Sequence, residues 1–258
     1  SDVCSSDLVL CSKQAGHAAI VINRPEKRNA LNMEVATGVL EFLRECEADP
    51  ELRLITLTGA GDVAFCAGND LAEFQKRADH PGPMREFDQT VLRMHEAIRK
   101  SNKVVLALVN GFCLGGGITL LGACDLAIAS DRAEFGLPEV AKGIWPAMAT
   151  TTVMHQMHRK HALWMILTGK RFGAHEAVEL GLVNKVVPHA DLAAAGAELV
   201  REMTAFNPMV LEWGKRMAAE STQMEYGLSL DHGLSTSALF RSLNDSFAQG
   251  RAAFLSKK

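Results

Sequence analysis

Four short segments of this chain combine residue types able to do chemistry. Asn110-Gly111-Phe112-Cys113-Leu114-Gly115-Gly116-Gly117 follows one apolar run, Val104 to Val109, and precedes another, Ile118 to Leu121. That pattern is a buried strand, a glycine turn and a helix start. Such a turn aims backbone N–H groups outward with no Cβ to obstruct a ligand, and the helix dipole adds positive potential there. An anion can sit at the turn, or an oxygen that becomes anionic during a reaction. Cys66-Ala67-Gly68-Asn69-Asp70-Leu71 is a second glycine loop after a strand. Asn23 to Asn32 places Lys27 and Arg28 just beyond another strand, and Glu134 to Glu139 sets a carboxylate directly after Pro138.

The elements that must position these segments are legible from periodicity. Leu8 to Cys11 and Ala18 to Ile22 read as strands around a turn at Gly16. Asn32 is an N-cap for a helix from about Met33 to Cys46, with Val35, Val39, Phe42, Leu43 and Cys46 at helical spacing. A strand over 52–57, a loop over 65–70, a short helix over 71–77 and a mobile Pro/Gly linker over 79–83 follow. Met84 to Lys100 is an amphipathic helix. Strands at 103–109 and 125–129 flank the glycine turn and a buried helix. Helices follow at about 149–158, 160–168 and 174–180, then a strand at 183–187 and helices to the C-terminus. Strand–helix alternation followed by a helical tail predicts an α/β core over 9–190 and a helical region over 191–258.

Composition narrows the function. With 258 residues and 48% hydrophobic content, a full core can form. A net charge of −3 and the absence of basic runs argue against nucleic acid as a partner. Six scattered cysteines without a CxxC fit a reducing, cytoplasmic compartment rather than a disulfide scaffold or structural zinc. Residues 104–129 are strongly apolar, but Asn110, the glycines and Asp125 break the run, so no membrane span is expected. Residues 1–8, SDVCSSDL, lack the charged and apolar regions of a signal peptide; they are set aside as a non-native or disordered leader.

The four segments, in this order and spacing, resemble the crotonase superfamily, also called the enoyl-CoA hydratase/isomerase family, over nearly the whole chain from about Val9. The resemblance implies a spiral of ββα units and a C-terminal helical region that builds a homotrimer or a dimer of trimers. It also implies an acyl-CoA thioester substrate, with no cofactor beyond the coenzyme A that the substrate carries. The thioester oxygen would be held by the backbone N–H groups of Asn69 and Gly116. Lys27 and Arg28 would lie near the CoA phosphates. Ala30, Leu31, Ala67, Gly68, Asp70, Leu71, Leu114, Gly115 and Pro138 would line the substrate site, although Asp70 also reads as the cap of the next helix.

Glu139 is the candidate acid/base. Two-carboxylate hydratases of the family pair it with a second glutamate twenty residues earlier, where this chain has Thr119. Threonine can hydrogen-bond a water but cannot take its proton near neutral pH. One carboxylate still suffices to hydrate an enoyl thioester or to shift its double bond. The leading expectation is an enoyl-CoA hydratase, with Δ3,Δ2-enoyl-CoA isomerase and hydroxycinnamoyl-CoA hydratase-lyase as alternatives. The lyases resemble the chain at Asn110–Gly117, 123–128, Phe135–Glu139 and 165–170, and they too carry a small hydroxyl residue at position 119. However, their C-terminal phenol-binding tyrosine falls near His232, and the one tyrosine here is Tyr226. Mitochondrial-type isomerases place their glutamate at the Glu139 position, peroxisomal-type ones near Ala147.

Three readings of other classes carry less. A non-catalytic acyl-CoA-binding subunit would bind without turnover. The histidines at 155, 158 and 161 drift around a helix and lack a carboxylate, so no metal is expected. The glycines at 59, 61 and 115–117 form no dinucleotide fingerprint.

Overall fold

The computed structural model describes residues 7–78 and 80–243. These fall into two compact units, divided between Ala205 and Phe206. The first opens with an antiparallel hairpin of β1 (Val9–Gln14) and β2 (His17–Ile22). Asn23 bonds back to the backbone oxygens of Asp7 and Leu8, the last two residues of the segment set aside as a leader. A 3-10 turn, Pro25–Lys27, leads to α1 (Met33–Glu47), where Asn32 Oδ1 accepts the Val35 N–H at 2.9 Å. The predicted apolar face of α1 is fully buried.

Three successive units then repeat one plan, a strand in a large sheet, a strand in a small sheet, and helix. They are β3 (Leu54–Gly59), β4 (Ala64–Cys66), α2 (Leu71–Ala78) and α3 (Pro81–Lys100); β5 (Val104–Val109), β6 (Phe112–Leu114) and α4 (Gly116–Ala123); and β7 (Leu126–Ser130), β8 (Glu134–Gly136), α5 (Ala147–Gln156) and α6 (Arg159–Thr168). After them come β9 (Arg171–Gly173), α7 (Ala174–Glu179), β10 (Lys185–Val187) and α8 (Leu192–Thr204). The large sheet has the order β1-β2-β3-β5-β7-β10 and is parallel beyond the first hairpin; the small one is β4-β6-β8-β9. The central strands β3, β5 and β7 are buried on both faces, which is why they read as near-continuous apolar runs. This is the α/β spiral that the sequence predicts.

Several boundaries move. The expected linker over 79–83 is in large part the first turn of α3, which starts at Pro81; position 79 itself lies outside the described residues. Proline fits there because first-turn N–H groups have no intrahelical partner. The first two residues of the loop expected over 65–70 belong instead to the short strand β4, and β6, β8 and β9 are further three-residue strands. Such short strands are too brief to show a period of two.

The repeat brings turn against turn. A Cβ on Gly111 would collide with the backbone of Val63, and one on Gly117 with the backbone of Cys66. Glycine at these positions lets consecutive units stack closely enough to share the small sheet. Asn110 Nδ2 ties the turns together by donating to the oxygens of Gly59 and Gly61 at 2.9 and 2.7 Å.

The second unit holds α9 (Pro208–Ser221) and α10 (Tyr226–Leu243). Asn207 caps α9, Trp213 meets Phe240 edge-on, and His232 bonds Glu220 at 2.7 Å. Neither helix buries a residue, and Leu228, Leu234 and Leu239 are exposed. Among the described residues no helix is long and apolar enough to cross a membrane.

Candidate active site

The site begins where two loops pair like a strip of parallel sheet. Leu31 N–H donates to Gly68 O and Asp70 N–H to Leu31 O, both at 2.8 Å. In a parallel ladder the residue between those two bonds turns its own N–H to the other side. The Asn69 N–H therefore faces away from Leu31. Gly68, at φ +99, backs onto the start of α4: a Cβ there would lie 3.0 Å from Gly116 N. A Cβ on Gly116 would in turn lie 3.4 Å from Asn69 N. Neither N–H donates to another described residue. Two backbone donors thus sit side by side at the N-terminus of a helix, where the dipole favours negative charge.

Glu139 reaches the same place from the next repeat. Gly115 N–H donates to Gly136 O at 3.0 Å, and β6 pairs with β8 through Leu114 and Gly136, so the turn after β8 is registered on the glycine turn. Pro138 starts a 3-10 turn to Lys142 that projects Glu139 back over Gly115. Its Oε1 lies 2.6 Å from where a Gly115 Cβ would be, and Gly115 itself has φ +56. Burial raises the Glu139 pKa above the usual glutamate range, against the opposing pull of its own backbone N–H and the Lys142 charge. Its Oε2 is buried without a hydrogen-bond partner.

Thr119 stands one helical turn beyond Gly116, is 7% exposed, and leaves Oγ1 unpaired. Asn69, Gly116, Thr119 and Glu139 all line one cavity of about 560 Å³, together with Ala67, Gly68, Leu71 and Pro138 from the sequence-derived set. Leu114 and Gly115 are buried behind it. Ala30 and Leu31 are buried in the paired loop, while Lys27 and Arg28 are exposed on the preceding turn, with the Arg28 guanidinium 5.9 Å from the centre of the Phe112 ring.

Asp70 does something more specific than line a site. Its Oδ1 accepts the Ala72 N–H at 2.9 Å, capping α2, and its Oδ2 takes the Arg24 guanidinium at 2.8 Å. Arg24 also donates to Ala30 O at 2.7 Å, so one buried pair fastens both paired loops. Burial works to raise the Asp70 pKa, but Arg24 and the capping N–H groups outweigh it and leave it lowered. The pair therefore stabilises the fold at neutral pH, and that contribution is lost as pH falls through the lowered value. Replacing Arg24 by Met is expected to cost about 3–5 kcal/mol, because Asp70 is left buried and unpaired. Adding Asp70→Asn should restore much of the loss. Urea unfolding of the single and double variants measures it; equal stability of Arg24→Met and the parent would remove the pair from this role.

The histidines at 155, 158 and 161 do not share a helix, since α5 ends at Gln156 and α6 starts at Arg159. Among the described residues no group of three or more His, Cys, Asp or Glu could hold a metal ion. Among large apolar residues near the site, Trp145 and Met148 line the cavity, while Phe87 and Val91 are core. Sequence reasoning misses Arg85, Asp88, Gln89 and Leu92, which line it from α3. They recur at helical spacing, but a polar stripe opposite a buried one reads as a solvated face.

The family model described as Enoyl-CoA hydratase/isomerase matches residues 12–258. A hydroxycinnamoyl-CoA hydratase-lyase from Pseudomonas fluorescens is 40% identical over 207 residues, covering 78% of this chain and 74% of its own. A short-chain-enoyl-CoA hydratase from Clostridium acetobutylicum is 33% identical, covering 86% of this chain and 85% of its own. Among solved structures, an enoyl-CoA hydratase from Bacillus anthracis superposes with a TM-score of 0.90 at 28% identity, covering 97% of both chains.

Proposed function

The chain belongs to the enoyl-CoA hydratase/isomerase family, and on that premise we propose that it hydrates a 2-enoyl-CoA with Glu139 as the sole carboxylate acid/base. The observation that carries this reading is the convergence of the Glu139 carboxylate, held over Gly115, and the unused N–H groups of Asn69 and Gly116 on one cavity. The thioester oxygen accepts from those two N–H groups. Water, oriented by Glu139 and Thr119, adds its oxygen to C3 and gives a proton to the Glu139 carboxylate. Charge gathers on the thioester oxygen, where each preorganised donor contributes about 3 kcal/mol. Glu139 then delivers the proton to C2, and H and OH have been added across the double bond. Coenzyme A enters as part of the substrate, and no further cofactor takes part.

Lyase chemistry is the second reading, favoured by the 40% identical relative. Against it, Tyr226 is 76% exposed on α10, and His232, near the family's tyrosine position, is engaged with Glu220. The reading extends to a cytoplasmic enzyme of fatty-acid metabolism, a homotrimer or dimer of trimers. The free thiols at Cys46, Cys66 and Cys113 and the exposed leucines of α10 support it.

Mixing the protein with crotonyl-CoA and following the conjugated-thioester absorbance tests the reaction. The expected result is a fall in absorbance with 3-hydroxybutyryl-CoA as product. Glu139 must be ionised to take a proton, so the acid limb of kcat should lie above the ordinary glutamate range, in the direction burial shifts it. No hydration of crotonyl-CoA would overturn short-chain hydration and bring isomerase or lyase substrates forward.

A further inference from the structure

A second cavity, of about 350 Å³, adjoins the first; Leu92, Thr119 and Met148 line both. It lies between α3, α4 and α5. Gly122 allows that arrangement, since a Cβ there would collide with Thr152, and Gln156 Nε2 donates to Gly122 O at 2.9 Å to hold α5 in place. The reaction proposed above uses none of this space. Yet it is lined by His95, a residue of α3 that is 6% exposed and has no hydrogen bond at either ring nitrogen. Thr119 Oγ1, at the boundary of the two cavities, is likewise unpaired. Buried polar groups are ordinarily hydrogen-bonded, so an unpaired imidazole facing a cavity marks a place for a polar ligand group.

We propose that the second cavity receives the distal end of the acyl group and that His95 hydrogen-bonds an uncharged polar substituent there, a hydroxyl or a ketone oxygen, which makes His95 a specificity-determining residue. The inference rests on the acyl-CoA reading of the first cavity. An acyl chain whose carbonyl lies at the Asn69 and Gly116 N–H groups enters the second cavity by passing Thr119, one turn along α4. A plain hydrocarbon tail would bury both imidazole nitrogens unpaired. Burial holds the His95 pKa down at about 4, so the ring is neutral near pH 7, with one nitrogen donating and the other accepting. A hydroxyl can answer either role.

Titration calorimetry with saturated straight-chain acyl-CoAs of five to eight carbons and their terminal-hydroxyl counterparts tests the assignment without depending on turnover. The hydroxylated member should bind at least about tenfold more tightly at one chain length, the scale of one buried hydrogen bond made or missed. His95→Phe, which keeps a ring of similar size, should abolish the preference; His95→Gln, which keeps a neutral donor and acceptor, should retain part of it. Equal affinity at every length in the unmodified protein overturns the proposal, as does a preference that survives His95→Phe. The first of these outcomes needs no variant to fold. Turnover of the matching 2-enoyl-CoAs separates the two readings. A hydroxyl preference without turnover supports the cavity assignment and sinks the hydratase reading, whereas turnover without preference sinks the cavity assignment alone.

Discussion

Glu139→Gln is expected to lower kcat for hydration by at least about 100-fold, the scale of losing a general acid/base. Glutamine keeps the shape and the hydrogen-bonding reach of the side chain but cannot shuttle a proton. The variant should fold as well as the parent or better. The Glu139 pKa is raised in the folded state, so that state holds its proton more firmly than the unfolded chain does. The carboxyl therefore costs stability as pH rises through the unfolded and then the folded value, and at neutral pH the amide avoids that cost. Binding of a saturated acyl-CoA should change little, since it depends on the N–H groups and the cavity walls. Steady-state kinetics and urea unfolding read these effects separately. Near-full turnover by the variant would take Glu139 out of the mechanism and leave the chain without its proposed acid/base.

Gly115→Ala should also cost about 100-fold in kcat, for a geometric reason. The added methyl group would stand 2.6 Å from Glu139 Oε1, well inside contact distance, so the carboxylate must swing aside. A misplacement of about 1 Å in a reacting group is enough for a loss of that size. A second cost comes from the backbone. At φ +56 and ψ −122, outside the left-handed helical region, an L-residue is strained, which lowers the melting temperature but need not touch catalysis. Gly61→Ala separates the two contributions. Gly61 has φ +76, yet the nearest atom to its added Cβ is Pro25 Cβ at 3.6 Å. That variant should lose stability and keep its turnover. If Gly115→Ala and Gly61→Ala show the same kcat, the contact between Gly115 and Glu139 does not position the carboxylate.

The two expectations rest on unequal evidence in the chain. Glu139 is visible in sequence because it follows Pro138 in a recognisable segment, and its neighbours Phe135 and Gly136 read as a strand end. Nothing local says that its carboxylate overlies Gly115. That contact exists because β6 and β8 pair in one register, with Gly115 N–H on Gly136 O. Arg24 shows the same limit. In sequence it is one more basic residue near Lys27 and Arg28. In the fold it turns inward, because Asn29 accepts its N–H at 3.0 Å and Asp70 waits on the opposite loop.

What the amino-acid order determined is the alternation of elements and the placing of glycines. Continuous apolar runs made buried parallel strands, Asn32 capped α1, and glycines marked turns such as those at Gly68 and at Gly115 to Gly117. Those signals are local, since propensity, periodicity and capping act over a few residues, and they were sufficient for an α/β core with a helical tail; the spiral and the roles of the four segments came from their resemblance to the family. The tertiary structure alone decided the division into two sheets, because three-residue strands carry no period and are held only by their neighbours. It alone brought the N–H groups of Asn69 and Gly116 together, by pairing Leu31 with Asn69 on one side and stacking Gly68 against Gly116 on the other. It also turned one polar stripe of α3 towards a cavity rather than towards water. A helical face looks the same in sequence whichever of these it meets, and His95 acquires its unpaired, neutral imidazole only when α4 and α5 close over it.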